Sequence, residues 1–138
     1  MRAGVDLGGT KIEAIAMDPD GVIRARVRRA SGRTYEESLA AVHDVVAETG
    51  RVAGVAISSV GVGIPGSPSP LTGLIRNANS TWLNGQPFGA DLVRVLARPV
   101  RLANDANCFA LSEAIDGAGA GARAVFGVIL GTGCGGGI

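Results

Sequence analysis

Two stretches of this chain share one design, an apolar strand that runs straight into a glycine–threonine turn. Arg2-Ala3-Gly4-Val5-Asp6-Leu7 leads into Gly8-Gly9-Thr10, and Arg123-Ala124-Val125-Phe126-Gly127-Val128-Ile129-Leu130 leads into Gly131-Thr132-Gly133. Glycine weakens strands and helices, so clusters of it need a reason. Here 22 of 138 residues are glycine, grouped at Gly8-Gly9, between Gly61 and Gly66, and from Gly131 to Gly137. Consecutive uncovered backbone N–H groups make an anion-binding nest. Two such turns facing each other across a cleft would hold a polyphosphate from both sides. The rest of the composition narrows the choices. With 46% hydrophobic and 18% charged residues the chain can bury a core. A net charge of +1 argues against a dedicated nucleic-acid binder. No apolar run approaches the roughly 18 residues that span a bilayer. Cys108 and Cys134 lack the spacing of a zinc site or a disulfide framework, which fits a reducing, cytoplasmic setting.

Periodicity supplies the element order. Residues 2–7, 11–18 and 22–30 read as three strands joined by tight connections, the second turning at Asp18-Pro19-Asp20-Gly21, which predicts an antiparallel meander. Arg24, Arg26 and Arg28 share one face of the third strand and read as a solvated outer face, since acids lie nearby and no aromatics interleave. Thr34 and Glu37 form a capping-box start for a helix carrying Leu39, Val42, Val45 and Val46, expected to stop at Gly50. His43 reads as a surface or boundary residue. A strand from Ser59 to Ile64 breaks at Pro65-Gly66, and a long loop runs through Trp82 and Asn84. A helix over Phe88–Ala97, a strand at Val100–Ala103, a helix from Asn104 to Gly117 with Cys108, Leu111 and Ile115 on its apolar face, and a strand over Ala124–Leu130 complete the chain. Strands reached through helical crossovers are parallel. The expectation is an α/β lobe of the ribonuclease-H-like, actin-like kind, with a mixed sheet of three antiparallel strands followed by parallel ones. Residues 1–121 read as one small N-terminal lobe, and 122–138 as the first hairpin of a second.

Three motifs carry chemistry. Asp6 to Lys11 joins a strand-end carboxylate to a glycine turn. An ordinary hairpin explains it as well as a phosphate nest with Asp6 holding water on Mg²⁺, an ion that takes few carboxylates and keeps several waters. The spacing is not that of a Walker loop. Gly131 to Gly137 contains Gly-x-Gly-x-x-Gly, but no helix or acidic ribose partner follows it. Asn104-Asp105-Ala106-Asn107 stands at a strand-to-helix junction. There a carboxylate either caps orphan N–H groups or serves as a general base toward a substrate hydroxyl. The loop Asn77-Ala78-Asn79-Ser80-Thr81 and the Pro65-Gly66 break offer amide and hydroxyl groups suited to a polyol.

On these residues the chain resembles the ROK family of bacterial sugar kinases and repressors, within the actin–hexokinase–Hsp70 superfamily. Asp6-Leu7-Gly8-Gly9-Thr10-Lys11 matches the first phosphate motif, Asn104-Asp105-Ala106-Asn107 the catalytic motif and Gly131 to Gly137 the second phosphate motif. The resemblance implies ATP-dependent phosphorylation of a hexose at its 6-hydroxyl. Asp105 would be the base, Gly66, Asn79, Ser80 and Asn104 the sugar contacts, Gly8, Gly9, Thr10, Lys11, Gly131, Thr132 and Gly133 the phosphate contacts, and Asp6 the residue behind Mg²⁺. The stretch Asn77 to Phe88 looks most like the fructokinase branch, with N-acetylglucosamine kinase or glucokinase as the alternatives. A sugar-binding repressor of the same family is less compatible with a first strand that begins at Met1. The family's zinc site and adenosine pocket would lie beyond Ile138, so no zinc ligand is expected within these residues and the 138 residues alone are expected to be inactive. A homodimer is the family's expected assembly, with no nucleic-acid or membrane partner.

Overall fold

The structure is a computed structural model that describes residues 1–130 and 134–138. Strands β1 (Arg2–Leu7), β2 (Lys11–Met17) and β3 (Ile23–Ala30) form the expected antiparallel meander. Helix α1 (Tyr35–Ala53) carries the chain back so that β4 (Ser59–Ile64) pairs parallel to β1. Helix α2 (Phe88–Leu96) repeats the crossover and delivers β7 (Val100–Asn104) parallel to β4. The sheet order is β3-β2-β1-β4-β7. Between β4 and α2 lie a two-residue hairpin, β5 (Ser67–Pro68) with β6 (Ile75–Arg76), and a single 3-10 turn at Thr81–Leu83. Helix α3 (Asp105–Asp116) follows β7 directly, and β8 (Gly127–Leu130) and β9 (Cys134–Gly137) close an antiparallel hairpin. This is the mixed α/β architecture expected from the element order.

Alternation decides which face of the sheet is buried. Ala3, Val5 and Leu7 of β1, Ile12, Ala14 and Ala16 of β2, and Val60, Val62 and Ile64 of β4 all turn to one side. There they meet Val42, Val45 and Val46 of α1 and Phe88, Leu92 and Leu96 of α2. Tyr35 braces the two helices, donating its hydroxyl to Asp91 at 2.6 Å while its ring meets Phe88 edge-on. The opposite face of the sheet presents Gly4, Asp6, Gly61 and Gly63, and the start of α3 lies against it, with Asp105 beside Gly63. The arginines of β3 face solvent as expected, Arg24 paired with Asp18, Arg26 and Arg28 with Glu13, and Arg29 with Glu48.

Several boundaries depart from the sequence expectation. Helix α1 does not stop at Gly50; it continues to Ala53 and ends on Gly54, whose φ of 67° is the left-handed cap. Gly50 instead makes room for the returning chain, since a Cβ there would meet the Val55 carbonyl oxygen at 3.1 Å and Ile57 at 3.3 Å. On α3 the buried face is Ala106 and Ala110, while Leu111 and Ile115 are exposed. Small residues win that face because the β8–β9 hairpin comes backbone-close, Gly137 against the Ala106 carbonyl and Gly127 against Phe109. Strand β8 is also shorter than the apolar run, starting at Gly127 rather than Ala124. Among the described residues no helix is long and apolar enough to cross a membrane.

Candidate active site

The carboxyl ends of three neighbouring strands converge at one end of the sheet: β1 ends in Asp6-Leu7, β4 in Ile64 and β7 in Asn104. Register carries the convergence, with Asp6 opposite Gly63, Gly63 opposite Ala103 and Ile64 opposite Asn104. In open α/β sheets this edge is where ligands bind.

Asn104 is the residue that caps α3. Its Oδ1 accepts from the Asn107 N–H at 3.2 Å, and its Nδ2 donates to the Gly66 carbonyl at 3.0 Å. The capping work is therefore done one residue before Asp105. Asp105 accepts only the N–H of its neighbour Ala106, at 2.7 Å, among the described residues. Gly66, at φ 125°, adopts a conformation that side chains rarely take, and it packs its backbone onto Ala78.

Gly66, Asn79, Asn104 and Asp105 come together on the wall of one cavity of about 540 Å³. Ser67, Asn77 and Asn107 add polar groups, and Ile129, Cys134 and Gly135 enter from the hairpin. A second groove of about 760 Å³ runs along the open sheet face, with Asp6, Gly61, Gly63 and Phe109 on its walls. Asp105 borders both. Ser80 does not reach the cavity wall: it is buried beneath the loop, its hydroxyl 4.0 Å from the point where a Cβ of Gly9 would stand. That contact brings the first glycine turn against the polar loop. Gly9, Thr10 and Lys11 are exposed beside it, and Gly8 closes the turn by donating to the Lys11 carbonyl at 2.9 Å. Gly131, Thr132 and Gly133 lie outside the described residues.

One contributor had no sequence signal. Ser31, just past β3, donates its hydroxyl to the Gly8 carbonyl at 2.6 Å and its N–H to the Thr10 carbonyl at 3.1 Å. It braces the glycine turn from 23 residues away in sequence.

Asp6 titrates above the ordinary carboxyl range. Partial desolvation is the first cause, and the charges of Asp105 and then Glu13 add to it, with Arg28 opposing. A carboxylate whose surroundings disfavour its ionisation suits a divalent cation, whose charge reverses that penalty. The donor set fits Mg²⁺, which binds one or two carboxylates and completes its shell with water and phosphate. The raised value also sets a pH dependence. The folded chain holds this proton more tightly than the unfolded chain, so ionised Asp6 costs stability. That cost is absent below the ordinary carboxyl range and fully present once pH has risen through the raised value. Asp6→Asn is expected to raise the melting temperature at pH 7 in the absence of cations and nucleotide. The gain should vanish as pH falls below about 4. Thermal melts from pH 3 to 8 read it, and a gain that stayed constant with pH would refute the assignment.

Comparison with known proteins agrees with this arrangement. The ROK family model matches residues 2–138. The chain belongs to the ROK family. It is 47% identical to an N-acetyl-D-glucosamine kinase of Citrobacter koseri, over 139 aligned residues that take in 100% of this chain and 46% of that protein. Among solved structures, a ROK family glucokinase from Streptomyces griseus, in complex with glucose and AMPPNP, superposes with a TM-score of 0.85. It is 33% identical, and the match covers 98% of this chain and 43% of that one. The ROK hexokinase from Thermus thermophilus gives 0.84 at 32% identity, covering 98% and 45%. The chain thus spans about half the length of the relatives it matches. The fold is the actin-like ATPase lobe of these ROK proteins.

Proposed function

We propose that the whole ROK protein transfers the terminal phosphoryl group of ATP to a hexose, and that N-acetylglucosamine is its substrate ahead of fructose. The observation that carries the kinase reading is the division of labour at the head of α3: Asn104 caps the helix and leaves the Asp105 carboxylate facing a cavity lined by amides and hydroxyls. A carboxylate so placed accepts the proton of a substrate hydroxyl as that oxygen attacks phosphorus. Asn79 and Asn104 orient the sugar, with the 6-hydroxyl the expected acceptor. Gly8, Gly9, Thr10 and Lys11 face the phosphates, with Gly131 to Gly133 as the expected second contact. Asp6 is the carboxylate suited to Mg²⁺ through water, and the ion when bound would neutralise charge on the transferring phosphoryl group. A homodimer remains the expected assembly.

The choice of sugar reverses the ranking taken from the sequence. The stretch Asn77 to Phe88 pointed to fructose. The N-acetyl-D-glucosamine kinases of Citrobacter koseri and Escherichia coli match the whole chain at 47% and 45% identity, which favours the alternative over the fructokinase branch. A coupled assay of ATP turnover across N-acetylglucosamine, glucose, mannose and fructose decides it. We expect the highest kcat/KM on N-acetylglucosamine, by tenfold or more over fructose, since a site built to hydrogen-bond a group rejects an analogue that leaves its polar atoms unpaired. A higher kcat/KM on fructose would overturn the substrate, and no turnover on any hexose would overturn the kinase reading.

A further inference from the structure

We propose that Asn84 is a positioning residue for the sugar site, acting through the backbone of Ala78; this rests on the sugar-kinase reading above. Asn84 is solvent-exposed and is not on the cavity wall. Yet both ends of its amide turn back onto the chain. The Ala78 N–H donates to Asn84 Oδ1 at 2.9 Å, and Asn84 Nδ2 donates to the Ala78 carbonyl at 3.0 Å. An asparagine side chain here does what a paired strand would do, satisfying the donor and the acceptor of one residue across a loop.

Ala78 is a junction. It is buried, it precedes Asn79 of the cavity wall, and its Cα and N stand 2.9 Å from where a Cβ of Gly66 would be. The Gly66 carbonyl in turn receives the Asn104 amide, and Asn104 sets the head of the helix that carries Asp105. The amide of Asn84 is therefore the outer end of a continuous chain of contacts that runs through Ala78 and Gly66 to Asn104.

Two further ties show that the loop is built to be held. At its neck the Gly85 N–H donates to the Ile75 carbonyl at 2.8 Å and the Ile75 N–H to the Gln86 carbonyl at 3.0 Å. On its flank Trp82 Nε1 donates to Ser38 Oγ at 2.9 Å. These fix the ends and one side. Among the described residues the Asn84 amide supplies the hydrogen bonds to the inner stretch, where Asn77 sits at φ 56°, a left-handed conformation costly for a residue with a side chain. Without the Asn84 amide, Asn77 is free to relax, and Ala78 and Asn79 move with it.

The test uses Asn84→Ala and Asn84→Asp in the whole protein, with steady-state kinetics and amide hydrogen exchange. Asn84→Ala should raise the sugar KM by about tenfold to a hundredfold, the equilibrium effect of two lost hydrogen bonds. The KM for ATP should stay within about twofold. Asn84→Asp keeps the acceptor for the Ala78 N–H and loses the donor, so it should recover part of the sugar KM. Exchange at the Ala78 amide should speed up by about tenfold or more in Asn84→Ala, while the Val5 and Val62 amides of the sheet keep their rates. Unchanged exchange at Ala78 would overturn the role of Asn84 whatever the protein phosphorylates. Faster exchange with an unchanged sugar KM, or equal rises in the KM for sugar and for ATP, would also overturn it. Failure of the unaltered protein to phosphorylate any hexose would instead overturn the reading of the site, and the Ala78 exchange would still report whether Asn84 holds the loop.

Discussion

Asp105→Ala in the whole protein should lower kcat by about 10²–10⁴-fold, the range typical of losing a general base, while sugar binding persists. The structure sharpens this expectation because it separates two jobs that the sequence left joined. A carboxylate at a strand-to-helix junction commonly serves as the cap, and removing a cap costs about 1 kcal/mol of stability with turnover intact. Here Asn104 performs the capping, through the Asn107 N–H, and among the described residues Asp105 accepts only the adjacent Ala106 N–H. Asn104→Ala is the matched comparison. It should lose about 1 kcal/mol from the cap and also release the Gly66 carbonyl, so its sugar KM should rise along with its instability. Kinetics and urea midpoints for the two variants separate the assignments. Near-normal kcat in Asp105→Ala would remove it from the chemistry.

The second large effect is structural. Gly66→Ala should destabilise the protein by roughly 2–5 kcal/mol, the sum of backbone strain at a left-handed position and of overpacking. A methyl group at Gly66 would stand 2.7 Å from the Arg76 carbonyl oxygen and 2.9 Å from Ala78, all of it backbone with no side chain able to swing away. Gly66 also has φ 125°. Gly61→Ala, five residues earlier on β4, is the control: nothing lies within 4 Å of its Cβ position and its φ is ordinary. It should change the denaturation midpoint of this chain by only a few tenths of a kcal/mol. Equal effects from the two substitutions would show that the close approach at Gly66 is not what the fold depends on.

The contrast between these glycines marks how far the sequence could be read. Local signals were legible. The turn at Asp18-Pro19-Asp20-Gly21, the capping start at Thr34 and the helix over Phe88 to Leu96 each announce themselves within a few residues, and the parallel crossovers follow from their order. The gathering of Gly66, Asn79, Asn104 and Asp105 was legible through the resemblance to the ROK family rather than through local pattern. What stayed hidden depends on contacts between distant segments. Gly50 resembles a stop signal and serves as a seat for Val55 and Ile57. The apolar residues of α3 suggested a face through Leu111 and Ile115, but the hairpin needs close backbone approach and selects Ala106 and Ala110. Ser80 reads as a sugar contact and is buried with its hydroxyl toward the Gly9 turn, while Ser31 carries no motif and braces that turn. Nothing in single-sequence periodicity distinguishes these serines.

The placement of Asp6 and Asp105 on the sheet and at the head of α3, and of Asn77 and Asn79 on the loop between β6 and α2, separates the two halves of the site by chain segment. Asp6 is set by the register of the five-stranded sheet, and Asp105 by the helix that follows β7 directly, so their positions move only if the sheet moves. The loop is tied by its own bonds at Ile75, Ala78 and Gly85, and it also lends Ile75, Ala78 and Leu83 to the core. On the proposed kinase reading, sugar preference would sit on this loop and the chemistry on the carboxylates. Exchanging the segment between Ile75 and Gln86 for that of a relative with another sugar preference amounts to swapping a cassette whose two splice points are already paired with each other. Such an exchange would have to keep the apolar Ile75, Ala78 and Leu83, which the core requires.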